Sequence, residues 1–223
     1  MKPKPWSIST LDNFANCPKQ YHEIKVLKSV QEVEGDAAKW GNRVHDAAEA
    51  NLRDGTPLDP ELHHYVPYLE SLKKLPGTPH VEKKLALTVS LQPCDFFSPH
   101  VWVRGKCDYL TIDGTLARGV DHKTGKRKPR SRQMVLMALL IFHHYPEVQT
   151  VRTAFFWLKT GEKDTGKYER ADIPAMWNMF VVDLQQYKQA FATDTWQPRQ
   201  SGLCYGWCPV TKCEFWKPKK VKP

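Results

Sequence analysis

The stretch Val101-Trp102-Val103-Arg104-Gly105-Lys106-Cys107-Asp108-Tyr109-Leu110-Thr111-Ile112, then Asp113-Gly114, then Thr115-Leu116-Ala117-Arg118-Gly119-Val120-Asp121-His122-Lys123 decides how this chain is read. Both flanks are rich in β-branched and aromatic residues, and Asp-Gly between two such runs is the strongest short-range signal of a two-residue hairpin turn. A turn there predicts Ile112 opposite Thr115, Asp108 opposite Gly119 and Lys106 opposite Asp121. Asp108 and Asp121 then become diagonal neighbours, about 7–8 Å apart at Cα. The two-residue period of a strand carries Lys123 to the face of Asp121.

Two carboxylates that converge in this way suit Mg²⁺, which takes oxygen ligands at about 2.0–2.1 Å, keeps several waters and completes its shell with a substrate phosphate. Mn²⁺ accepts the same ligand types. A cation so held polarises a phosphate and activates water, while a neighbouring ammonium orients that water or stabilises developing charge. The triplet Asp121-His122-Lys123 is a weak signal by itself, because acids near a hairpin are commonly solvated surface groups. Other residues of the chain add to it.

Gly41-Asn42-Arg43-Val44-His45, Glu82, Gly105-Lys106-Cys107-Asp108, Asp121-His122-Lys123 and Gln133, in this order, resemble the motif set of the RecB-like branch of the PD-(D/E)XK nuclease superfamily. The opening Ser7-Ile8-Ser9-Thr10-Leu11-Asp12-Asn13-Phe14-Ala15-Asn16-Cys17-Pro18-Lys19-Gln20-Tyr21 is similar to the start of that branch. Bacteriophage exonucleases, CRISPR-associated adaptation nucleases and nuclease domains of recombination helicases share the pattern. The resemblance covers most of the chain and implies a restriction-endonuclease-like core. It implies further that His45, Asp108, Asp121 and the backbone carbonyl of His122 bind the metal, that Lys123 is the catalytic lysine, and that Gln133 supports the site. Met137 stands where members often carry a tyrosine, and Asp121 where glutamate is commoner. Glu82, inside the strand-like Val81–Leu87, reads either as a second acid near the metal or as a solvated charge.

At 223 residues the chain is long enough for one well-buried domain, and no low-complexity linker divides it, so residues 1–223 are read as a single nuclease domain. A net charge of +9 favours a polyanionic partner, DNA. Lys126, Arg127, Lys128, Arg130 and Arg132 follow the acidic pair and are expected to contact the nucleic-acid backbone. The Lys-Pro end, with Lys217, Lys219, Lys220 and Lys222, reads as a solubilising tail in preference to a binding arm. Some of the eight tryptophans could stack on bases, although most aromatics in a domain of this size are core. Met1-Lys2-Pro3-Lys4-Pro5 is followed by no apolar run, and Met134–Phe142 is too short to span a bilayer, so a cytoplasmic protein is expected, in the host if phage-encoded.

In a reducing compartment six cysteines do not form a disulfide framework. Cys94 and Cys107 read as packing residues. Cys204, Cys208 and Cys213 have the spacing C-x3-C-x4-C within a loop-rich segment at about 200–216, and Cys17 could supply a fourth thiolate. The resemblance implies a 4Fe-4S cluster, since several RecB-like nucleases hold one with one early and three late cysteines. Spacing alone leaves cluster, zinc and metal-free packing open.

Hydrophobic patterns predict helices at Ser9–Tyr21, Asp36–Leu52, Asp59–Leu75, Arg132–His144 and Ala171–Ala192, and strands at Val81–Leu91, Val101–Ile112, Thr115–His122 and Val148–Lys159. The expected fold is α/β, a central mixed sheet flanked by helices. The expected activity is a Mg²⁺-dependent DNA nuclease, an exonuclease of phage or bacterial recombination, repair or replication with a partner protein from those processes. The alternative is a DNA-binding or CRISPR-adaptation subunit that presents DNA ends to a partner.

Overall fold

One sheet of five strands, in the order β1-β2-β3-β4-β5, organises the residues that matter most: β1 Thr78–Leu87, β2 Val103–Asp113, β3 Leu116–Lys123, β4 Thr150–Trp157 and β5 Glu162–Glu169. The computed structural model describes residues 1–32, 34–127 and 132–219, and divides into two compact units, 35–178 and the paired ends 1–34 with 179–223. The sheet belongs to the first of these. Its pairs are antiparallel except β3 with β4, which is parallel. A parallel pair needs a crossover, and helix α5, Arg132–His144, lies in it as predicted. Met134 through Phe142 of α5 are all buried, so this helix is apolar all round because it is core. Among the described residues no helix is long and apolar enough to cross a membrane.

The helices α1 (Ile8–Asn16), α2 (Pro18–Tyr21), α3 (Asp36–Asp54), α4 (Val66–Lys73), α6 (Ile173–Asn178) and α7 (Val181–Thr193) complete the described α-helices. On the sheet face away from α5, Val44 and Ala48 of α3 and Leu69 and Leu72 of α4 join Tyr109 of β2 and Val120 of β3 in one apolar cluster. In the paired-ends unit, Phe14, Tyr21, Tyr187 and Trp196 form a nest of edge-on and stacked rings, with the Tyr21 and Tyr187 hydroxyls 2.8 Å apart.

Several predicted boundaries need correction. The first helix breaks at Cys17, whose extended backbone caps α2 while Pro18 takes the first-turn position that tolerates a missing N–H. The third is a 3₁₀ turn, Pro60–Tyr65, followed by α4. The last divides at Met179-Phe180, where Phe180 is fully buried and its ring lies 5.5 Å from that of Trp6. Strand β5 carried no apolar signal because it is an edge strand, Glu-Lys-Asp-Thr-Gly-Lys-Tyr-Glu, and charge on an edge blocks unwanted pairing.

The hairpin itself exists, but its turn is Gly114-Thr115, with Asp113 opposite Leu116. Gly114 takes φ +55° at the first central position, where a type II′ turn requires glycine. The register therefore moves by two residues: Ile112 faces Ala117, and Leu110 faces Gly119 in place of Asp108. An even shift keeps every side chain on its predicted face. It also brings Asp108 level with Asp121, just beyond the last ladder pair, Tyr109 with Val120.

Gly119 shows why α5 can lie so close to β3. A Cβ at this position would stand 2.6 Å from Met137 Sδ and 3.2 Å from Ile141 Cδ1. Gly119→Val should therefore overpack the interface and cost about 1–3 kcal/mol, lowering the melting temperature by about 2–4 °C per kcal/mol. Met137→Ala in the same chain should recover part of that loss; strictly additive melting shifts of the two substitutions would show that the contact does not exist.

Candidate active site

The site begins where β2 and β3 part. Beyond Tyr109 and Val120 the ladder stops, and Asp108 Oδ2 accepts the His122 backbone N–H at 2.7 Å. A carboxylate thus takes the donor that a sheet partner would otherwise satisfy, and Asp108 is buried by doing so. On the other side of β2, Val81 pairs with Tyr109 and Lys83 with Cys107, and between them Glu82 stands level with Asp108. Glu82 has φ +55°, a left-handed conformation that a non-glycine residue holds only where surroundings impose it. The side chains change face here. Val81 and Tyr109 join the cluster under α3 and α4, whereas Cys107 Sγ lies 3.7 Å from Met137 Sδ of α5.

Helix α3 adds His45, with Nδ1 3.4 Å from Asp108 Oδ2. One donor atom from each of His45, Glu82 and Asp108 falls within 4.8 Å of the others, a set sized for one cation. Glu82, left open between two readings in the sequence, belongs to this group, and Lys106 forms an ion pair with it. Burial first, then the nearby Asp108 charge, pushes the Glu82 carboxyl above the usual range against the pull of Lys106.

Asp121 and Lys123 form a second set. Gln133, at the start of α5, donates from Nε2 to Asp121 Oδ1 at 2.8 Å and accepts at Oε1 from Lys123 Nζ at 2.9 Å. Lys123 Nζ also lies 2.5 Å from Asp121 Oδ2, and 4.7 Å from the centre of the Phe155 ring. That ion pair lacks hydrogen-bond geometry, so Asp121 Oδ2 remains a buried oxygen without a hydrogen-bond partner. Burial and the Asp108 charge raise the Asp121 carboxyl despite Lys123. His45, Glu82 and Asp108 close within 4.8 Å of one another, and with the raised Asp121 carboxyl beside Asp108 a divalent cation there would offset the gathered negative charge.

The His122 side chain lies on the face of β3 opposite Asp121, its ring 5.8 Å from that of His45. Its Nδ1 shares a 2.7 Å hydrogen bond with the Tyr68 hydroxyl, and the Tyr68 ring stacks on Phe156 at 3.7 Å and 5°. Burial, with His45 nearby, lowers the His122 pKa to about 3, so the ring is neutral at ordinary pH. Tyr68, on α4, is a neighbour of the candidate site that the sequence reading missed. It lies on a helix 54 residues before its partner on β3, a separation that no local pattern reveals.

The other predicted residues are more scattered. Arg127 forms exposed ion pairs with Glu162 at 3.0 Å and with Asp164. Lys126 is exposed, Arg132 begins α5, and Lys128 and Arg130 lie outside the described residues, as do Lys220 and Lys222. In the paired-ends unit Cys17, Cys204, Cys208 and Cys213 line one small cavity. Their sulfurs attract donors: Gln20 N and Arg199 N each lie 3.4 Å from Cys17 Sγ, Gln20 Nε2 3.3 Å from Cys208 Sγ, and Ser201 N 3.5 Å from Cys204 Sγ. Among the described residues, no trio of these sulfurs closes within 4.8 Å as the His45 group does. Cys107 is buried, as predicted for a packing residue.

Comparison with known proteins bears on the fold and the superfamily. The chain superimposes on the crystal structure of a candidate exonuclease from Eubacterium rectale with a TM-score of 0.54 and 11% identity, over 98% of this chain and 90% of that one. It superimposes on the crystal structure of a protein designated SSO0001 with a TM-score of 0.50 and 11% identity, over 96% and 88%. At such identity the likeness is one of fold. A sequence comparison with curated proteins finds no match. The profile of the PD-(D/E)XK nuclease superfamily runs through residues 5–213, past every acid of the cradle and the Asp-x-Lys strand, and to that superfamily the chain belongs.

Proposed function

We propose that this chain is a divalent-metal-dependent deoxyribonuclease of the RecB-like branch, an exonuclease that hydrolyses DNA phosphodiester bonds during recombination, repair or replication in a phage or bacterium. It works in the cytoplasm, beside a partner protein of those processes. The observation that carries the reading is the convergence of His45, Glu82 and Asp108 within 4.8 Å, next to a lysine fixed by Gln133 and Asp121. Mg²⁺ or Mn²⁺ held there, by His45, Asp108, Asp121, the His122 carbonyl and Glu82, would supply Lewis-acid polarisation of the phosphate and a more acidic water. Gln133 fixes Lys123 so that its ammonium faces the reacting phosphate, where it orients the attacking water and stabilises charge building on phosphate oxygens. His45, neutral when it acts as a ligand, leaves the net negative charge of the carboxylates to balance the cation.

The four cysteines are proposed to hold a 4Fe-4S cluster. Support comes from their common cavity and from the N–H donors aimed at three of the sulfurs, a pattern that stabilises cluster-bound thiolates.

Three outcomes test these assignments. Lys123→Ala and Asp121→Asn should each lower cleavage of end-labelled DNA by about 10²-fold or more, with circular dichroism and DNA binding little changed; full activity in both variants would end the nuclease assignment. The second test concerns pH. Because the Asp121 and Glu82 carboxyls are raised in the folded protein, they hold protons there that the unfolded chain has released. Metal-free stability should therefore fall as pH climbs from about 4, the unfolded carboxylate range, through the raised folded values. Asp121→Asn should flatten that fall, and saturating Mn²⁺ should raise the wild-type melting temperature more at pH 7.5 than at pH 5, because the ligands must be deprotonated. Equal shifts at both pH values, by differential scanning fluorimetry, would remove the carboxylates from metal binding. Third, anaerobically purified protein should contain about four iron and four sulfide per chain, lost in Cys208→Ala; protein without either element would refute the cluster.

A further inference from the structure

The β1–β2 hairpin runs on past the metal cradle and carries cations whose purpose the catalytic groups do not explain. A Cβ on Gly105 would meet Leu140 of α5, so its neighbours Arg104 and Lys106 project from the other face, and Lys84 with them across the ladder. Lys84 stands directly opposite Lys106 and Arg104 opposite Ala86. Like charges directly opposite each other on a sheet are destabilising. Glu82 compensates Lys106, but Lys84 makes no ion pair among the described residues.

Lys84 instead lies against aromatic rings, its Nζ 5.3 Å from the centre of Phe97 and 6.0 Å from that of Phe96. Arg104 lies 5.0 Å from the Phe96 centre. The two phenyl rings meet edge to face at 5.1 Å, and Phe97 is 76% exposed. The loop that holds them is firmly built: Cys94 N donates to Ala86 O at 3.0 Å, Trp102 N to Leu87 O at 2.8 Å, and Thr88 N to Gln92 O at 2.9 Å. A single acid, Asp95, occurs in residues 88–102. An exposed ring on an ordered loop, flanked by cations, matches the chemistry of a strand with unpaired bases: phosphates for the cations, a base face for the ring. A duplex interior offers no such face.

We infer that this hairpin binds a single-stranded segment of DNA, with Lys84 and Arg104 on its phosphates and Phe97 stacked on a base. Lys84 is two residues from Glu82 along β1, about 7 Å, so a strand held there leads to the cradle. That the strand is DNA rests on the nuclease reading; the binding surface itself does not depend on turnover.

Fluorescence anisotropy with a labelled oligothymidylate, in EDTA so that nothing is cleaved, tests the inference across a salt series. Phe97→Ala should weaken binding about tenfold without changing the salt slope, and Phe97→Trp should restore it. Lys84→Ala should reduce the slope of log affinity against log salt by about 0.7, one phosphate contact. A blunt duplex should bind Phe97→Ala as well as wild type. Wild-type affinity of Phe97→Ala for the oligothymidylate, or equal losses on single strand and duplex, would overturn the assignment, as would an unchanged slope for Lys84→Ala. A wild-type protein that binds in the expected way yet cleaves no DNA with Mn²⁺ would overturn the nuclease reading and leave this surface standing.

Discussion

One hydrogen bond sets the geometry of the site: the His122 N–H given to the Asp108 carboxylate at the point where β2 and β3 separate. A sheet that continued would use that donor for its own ladder and leave no room between the strands. Because the donor goes to a side chain, a carboxylate is drawn into the sheet interior, where it is costly unless it is paired. His45 on one side and Glu82 on the other gather around it for the same reason. The local balance of charge is poor without a cation, and this imbalance is what a metal site needs in order to bind metal tightly.

Lys123 is governed by a different constraint. Its ammonium lies close to Phe155, Gln133 and Asp121, and Gln133 bonds both members of the Asp-Lys pair at once. An amide suits this position because it can donate to a carboxylate and accept from an ammonium without adding charge. Gln133 thus holds both members of an Asp–Lys ion pair in one orientation.

The sequence made much of this legible. Alternating apolar residues gave the strands of the hairpin, and the apolar run of α5 stood out by its length. The ordered acids and the lysine marked β3 as the strand of the candidate site. What was not legible depended on backbone geometry or distant packing. The turn moved to Gly114-Thr115 because only the first central residue must be glycine in the turn adopted, and two neighbouring turns fit the same letters. Glu82 could not be placed, because its left-handed backbone breaks the alternation by which a strand is read. Tyr68 and the pairing of Arg127 with Glu162 and Asp164 come from contacts between segments far apart in the chain, which one sequence does not encode visibly.

The parallel pairing of β3 with β4 has a consequence for how the molecule is made. Strand β3 meets β2 through a turn of two residues, a local event, but meets β4 only after the whole α5 crossover has been laid down. During synthesis the strand bearing Asp121 and Lys123 therefore spends an interval as an edge unpaired on its β4 side, with the Gly119 face not yet covered by α5. Non-local closure is slow and leaves such edges open to association with other chains. Closure of that edge waits on α5, the crossover helix between β3 and β4.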